Sequence, residues 1–142
     1  MKTEWKSWFV DQLYELSGEY IRDDRSYSYK NIEIDEVPFH TELKSYIYSL
    51  SNITDDSQYK VYHIHKWEVG DFFDEHTDNH FNRKWAYVCE LHQSLCNTSL
   101  IVDNNPIKEG IFSSTTLHRL PKIKNGTRIS LTVFGTYPSP LI

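Results

Sequence analysis

The chain has 142 residues, a formal net charge of −5 and a mean hydropathy of −0.59. That size suggests one domain, 1–142, able to bury roughly 68–70% of its unfolded surface. The acidic balance argues against a nucleic-acid backbone binder, which needs a basic footprint, and no apolar run approaches the ~18–20 residues of a membrane span.

In chain order, residues 4–18 place Trp5, Trp8, Phe9, Leu13 and Leu16 at helical spacing, with Gly18 as a stop. The alternation of Tyr27 and Tyr29, then Ile32 and Ile34, predicts a strand over 26–34. Leu43, Tyr46, Ile47 and Leu50 predict a second helix over 41–50, followed by a polar loop from Asn52 to Gln58. From Tyr59 onward short strands are expected near 59–67, 71–76, 84–91, 98–103, 109–113, 116–119 and 127–134. Asp103-Asn104-Asn105-Pro106 and Lys124-Asn125-Gly126 carry turn chemistry, and Asn-Gly is a strong hairpin signal. The pattern is mainly β with N-terminal helices, a sandwich or jelly roll. Residues 1–58 read as a support layer and 59–137 as the jelly-roll core.

Aromatics make up 15% of the chain, a content suited to strands and pocket walls. Cys89 and Cys96 read as reduced thiols, since no His/Cys cluster surrounds them at zinc spacing. The start, Met1-Lys2-Thr3-Glu4-Trp5, lacks a signal-like apolar segment, so the expected location is cytoplasmic. On that reading the glycosylation-like triplets at Asn52, Asn97 and Asn125 are chance. Arg119, Lys122 and Lys124 read as a solvated basic hairpin.

Chemistry concentrates at Gly70-Asp71-Phe72-Phe73-Asp74-Glu75-His76-Thr77-Asp78. On a strand, His76 and Asp78 would point to one side. Such a pair needs a third ligand, and His118 between apolar neighbours offers one. Two histidines and a carboxylate with open positions form the facial triad of non-haem Fe(II) oxygenases. Phe72 and Phe73 would supply a dry wall. Arg128 and Ser130 follow on one face of a later strand. A competing set, His63, His65 and Glu68, is cupin-like, although its spacing is short. The plainer reading makes His63 and His65 strand residues near a cavity or at the surface, and His80 a loop histidine. No nucleophile elbow or phosphate-binding glycine loop occurs.

Residues Tyr59 to Tyr137 resemble the 2-oxoglutarate- and Fe(II)-dependent dioxygenases, in particular the prolyl 4-hydroxylase-like branch. The residues carrying the resemblance run from Trp67 to Asp78, from Arg83 to Val88, from Glu109 to His118 and from Gly126 to Leu131. It implies a double-stranded β-helix in which His76, Asp78 and His118 ligate Fe(II). Arg128, with Ser130, would meet the distal carboxylate of 2-oxoglutarate, and Trp67 would stand beside it where many relatives carry Tyr. The implied reaction consumes dioxygen, releases succinate and CO2, and hydroxylates a C–H bond of a prolyl-like peptide residue or a small molecule. Glu90 stands where relatives often place a Tyr that helps bind that carboxylate, and there it would repel the cosubstrate. The alternatives are a catalytically silent metal-binding jelly-roll module and a cupin-type metalloenzyme using His63, His65 and Glu68.

Overall fold

The structure is a computed structural model that describes residues 1–51, 53 and 58–137. The Asn52 triplet and most of the polar loop that follows it lie outside the described residues. Helix α1 (Thr3–Asp11) continues into a 3-10 turn, Gln12–Tyr14. Strands β1 (Gly18–Arg22) and β2 (Arg25–Glu33) form a hairpin, and helix α2 spans His40–Ser49. The remaining strands are β3 (Val61–Trp67), β4 (Phe72–His76), β5 (Arg83–Ser94), β6 (Leu100–Val102), β7 (Asn105–Ile107), β8 (Glu109–Ser113), β9 (His118–Leu120) and β10 (Thr127–Thr136). All pairs among them are antiparallel, in the order β7-β6-β9-β4-β2-β3-β10-β5-β8, with β1 on β2. This strongly curved sheet is a jelly roll, as expected. Among the described residues no helix is long and apolar enough to cross a membrane.

Period-two alternation explains how one sheet serves two purposes. On one face, Tyr62 and Ile64 of β3, Trp85, Tyr87 and Cys89 of β5, and Leu131 and Val133 of β10 are buried against the helices. Trp5 and Phe9 of α1, and Leu43 and Ile47 of α2, reach that core by their i, i+4 spacing. The opposite face of the same strands carries His63, His65, Trp67, Val88, Arg128, Ser130, Thr132 and Phe134, which line a cavity.

Several expectations need correction. Gly18 does not stop a helix; it opens β1, because Tyr29 packs across the hairpin and a Cβ at Gly18 would lie 2.8 Å from the Tyr29 hydroxyl. The division at residue 59 does not follow the sheet, since β2 pairs with β3 and β4 in its middle. Asp103 and Asn104 both take positive φ, 49° and 62°, and close a tight hairpin from β6 to β7. That places Pro106 inside a short strand that was not expected. Asn125-Gly126, by contrast, makes no hairpin, because β9 pairs with β4 and β6 while β10 pairs with β3 and β5. Gly126 is needed for another reason. Its φ is +73°, and a Cβ there would lie 1.8 Å from the Ser94 carbonyl. Arg119 accordingly lies on β9, not in a basic hairpin, and pairs with Glu75 at 3.0 Å. Both cysteines are free and buried.

Candidate metal centre

A turn at Glu68–Asp71 delivers the chain from β3 into β4. Gly70 supplies φ +95°, and Asp71 accepts hydrogen bonds from the Glu68 amide at 2.8 Å and from Ser26 Oγ at 2.7 Å. β4 then pairs with β9, with a one-residue irregularity between Phe73 and His76. The shift makes His76 and His118 direct cross-strand partners, with ring centroids 4.1 Å apart. Asp78 lies two residues beyond β4, so strand alternation alone does not orient it. Its amide donates to the Ser114 carbonyl at 2.9 Å, which ties it to the loop preceding His118.

His76, Asp78 and His118 can each offer a ligand atom, and these atoms all lie within 4.8 Å of one another. His76 Nδ1 lies 2.7 Å from the Asp74 carbonyl and His118 Nδ1 lies 3.0 Å from the Thr116 carbonyl. A carbonyl only accepts, so each Nδ1 carries the proton and each Nε2 faces the shared space. There His118 Nε2 lies 2.9 Å and His76 Nε2 3.5 Å from the Asp78 carboxylate. Burial would raise the Asp78 pKa, but hydrogen bonds from His118 and then His76 outweigh it and hold the carboxyl below its usual range. With both Nδ1 protons engaged, these close contacts call for a further positive charge between the rings and the carboxylate, either a proton or a metal ion. The donor set therefore fits a divalent cation that takes N and O ligands.

Phe73 stacks on His76 at 3.9 Å between centroids, with 11° between the planes. Phe73 thus forms the expected dry wall, while Phe72 on the opposite side of the strand does not line this cavity. The cavity has a volume of about 600 Å³, within the range of small-molecule sites.

Arg128 and Ser130 are nearly fully buried in the same cavity. The Trp67 indole N–H donates to Ser130 Oγ at 3.1 Å. Arg128 Nε lies 3.7 Å from Glu90 Oε2, an ion pair too long for a hydrogen bond, and both atoms are buried without a hydrogen-bond partner. Glu90 is the ladder partner of Ser130, brought there by a bulge between Ile129 and Ser130.

The cupin-like set does not converge. His63 and His65 line the cavity, whereas Glu68 is exposed and pairs with Lys66 at 3.4 Å. Burial lowers the pKa of His63 to about 4 and of His65 to about 3, so both rings are neutral near pH 7. His80, on the loop after Asp78, lies 3.1 Å from Arg83 Nη1.

Sequence reasoning missed much of the wall. Tyr20 and Arg22 of β1, Arg25, Tyr27 and Tyr29 of β2, and Arg83 of β5 all line the cavity. The Tyr27 and Tyr29 alternation was visible in the sequence, but not that it faces a cavity. Phe81 lies on the rim, 80% exposed, with φ +53°.

No protein-family model matches the chain, and no curated protein sequence matches it either. Solved structures do. A Pseudomonas putida prolyl-4-hydroxylase superposes with a TM-score of 0.65 at 13% identity, covering 98% of this chain and 89% of that one. The viral collagen prolyl hydroxylase of Paramecium Bursaria Chlorella virus-1, solved as a 2OG complex, gives 0.67 at 12% identity over 97% and 92% of the two chains. A Trichoplax adhaerens prolyl hydroxylase, in complex with a peptide fragment of the hypoxia inducible factor oxygen degradation domain, gives 0.67 at 13% over 95% and 76%. At these identities the likeness is one of fold: the chain has the double-stranded β-helix fold of the prolyl hydroxylases.

Proposed function

We propose that this protein is an Fe(II)- and 2-oxoglutarate-dependent dioxygenase that hydroxylates a C–H bond of a peptide residue or a small molecule. The observation that carries the reading is the convergence of His76, Asp78 and His118 in one cavity with the buried Arg128. The fold shared with prolyl hydroxylases supports it.

In this reading His76, Asp78 and His118 would hold the iron through two imidazole nitrogens and a carboxylate. Iron with 2-oxoglutarate supplies the oxidising chemistry, coupled to release of succinate and CO2. The protein supplies position and dryness. The Asp74 and Thr116 carbonyls fix the two imidazole tautomers so that Nε2 is presented to the metal. Arg128 offers a planar donor fork to the far carboxylate of the cosubstrate. Ser130 accepts from Trp67, so its own O–H remains free to donate to the same carboxylate. Phe73 covers one face of His76 and keeps water from that side.

A second reading rests on Glu90. Its carboxylate already faces Arg128 at 3.7 Å, which favours a silent module that keeps the metal for stability. Anaerobic titration with Fe(II) and 2-oxoglutarate, followed by succinate measurement in air, tests both readings. Binding and release that disappear in His118→Ala and Arg128→Ala support the dioxygenase. Metal-dependent melting without succinate formation under any substrate supports the silent module. Failure of the unaltered protein to take up metal rejects both.

A further inference from the structure

The cavity is strongly biased in charge within an acidic protein. Four arginines line it, Arg22, Arg25, Arg83 and Arg128, against one carboxylate, Asp78, while the whole chain carries −5. The proposed chemistry uses Asp78 and Arg128, which leaves three cations at the outer end.

Two of these flank the triad. Arg83 Nη1 lies 3.8 Å from Asp78 Oδ1, and its guanidinium sits over Phe134, 3.6 Å from the ring centroid. Arg25 sits over Phe73 at 4.5 Å, and Phe73 in turn stacks on His76. Arg25 forms an ion pair with the solvent-facing Asp24 and interacts with the Tyr27 hydroxyl, while its Nε is buried without a hydrogen-bond partner. At 3.8 Å the Asp78 contact is too long for a hydrogen bond, and Arg83 otherwise meets His80 at 3.1 Å and the ring faces of Phe134 and Phe81. Arginine forks held over rings beside a reaction centre, short of carboxylates, suit an oxyanion bidentately. The stacked rings of Tyr20, Tyr27 and Tyr29 on the same wall offer an apolar surface to the rest of the molecule.

We infer that the primary substrate carries an anionic oxygen group, a carboxylate or phosphate, bound by Arg83 and Arg25 next to the carbon that reacts. The inference rests on the proposed function for which carbon reacts, but the anion site itself does not need the metal. It favours an acidic small molecule over a neutral prolyl chain, in keeping with a cavity of about 600 Å³.

The test uses the full chain, with and without Mn(II) and 2-oxoglutarate. Benzoate, phenyl phosphate and the neutral benzamide are titrated while tryptophan fluorescence is followed, since Trp67 lines the cavity. At least one anion is expected to bind about tenfold more tightly than benzamide, a step of about 1.4 kcal/mol, and the tighter of the two names the group. Arg83→Gln and Arg25→Gln should each erase most of that preference, and Arg83→Lys and Arg25→Lys should restore part of it. Benzamide binding as tightly as both anions overturns the inference. So does a preference that survives both Gln variants and vanishes only in Arg128→Gln, which would place the anion at the cosubstrate end. Absent Mn(II) uptake with the anion preference intact strikes the proposed function and leaves this inference standing.

Discussion

At one end of the cavity two imidazoles meet a carboxylate, with their outer nitrogens already tied to the Asp74 and Thr116 carbonyls. At the other end Arg128 faces Glu90 across 3.7 Å, with Arg128 Nε and Glu90 Oε2 both lacking a hydrogen-bond partner. The first end is oriented in advance, with its Nε2 atoms and carboxylate gathered in one place. The second holds its own counter-charge and so offers an incoming carboxylate less net attraction. Under the proposed function, this contrast makes metal binding and cosubstrate binding separable, with the second the more open to change by single substitutions.

The largest expected effect lies at the preorganised end. His118→Ala should weaken Mn(II) or Fe(II) binding on the order of 100-fold or more, because a lost ligand costs at least as much as a lost supporting contact. Calorimetry reads this, and unchanged affinity would remove the triad from the account. At the other end, Arg128→Gln should weaken 2-oxoglutarate by about 10- to 100-fold, from the loss of charged hydrogen bonds worth about 1.5–3 kcal/mol. It should also lower the melting temperature, since Glu90 is left buried without its cation. Metal affinity should hold; a parallel collapse of metal binding would show that the two ends are coupled.

Glu90→Gln sharpens the comparison in the opposite direction. Removing the competing carboxylate should tighten 2-oxoglutarate by about fivefold, about 1 kcal/mol at the dielectric of a partly wet site. Weaker binding would mean that Glu90 positions Arg128 rather than competing for it. The smallest change is Trp67→Phe, which removes the N–H donated to Ser130. It should cost about 1 kcal/mol or less, split between stability and cosubstrate affinity, and a titration of 2-oxoglutarate against both proteins measures the share.

The two ends also differ in how far they could be read from the chain. That His76, Asp78 and His118 come together was legible because a facial triad draws on few residue types, and their order and apolar flanks limit the candidates. Arg128 and Ser130 were legible as neighbours on one strand face. Glu90 was legible at this end only through the family resemblance, because its place beside Arg128 depends on a bulge between Ile129 and Ser130 that no local residue announces. Arg22, Arg25 and Arg83 were missed for a different reason. An arginine at the end of a strand has the same pattern whether it points to water or lines a cavity, and only the closure of the sheet decides. Gly18 shows a similar ambiguity: glycine ends helices and also makes room for a ring across a hairpin, and here Tyr29 takes that room. The helical faces of Trp5 and Phe9, and of Leu43 and Ile47, were plain from spacing alone and are buried as the spacing requires.

Phe81 holds a bulky side chain at φ +53° with 80% of its surface in water. That backbone conformation costs the folded chain on the order of 1–3 kcal/mol, and the ring gains little burial in return. Glycine at this position would relieve the strain and make the unliganded fold more robust. Thermal hardening of this protein through residue 81 would therefore strip apolar surface from the doorway to its cavity.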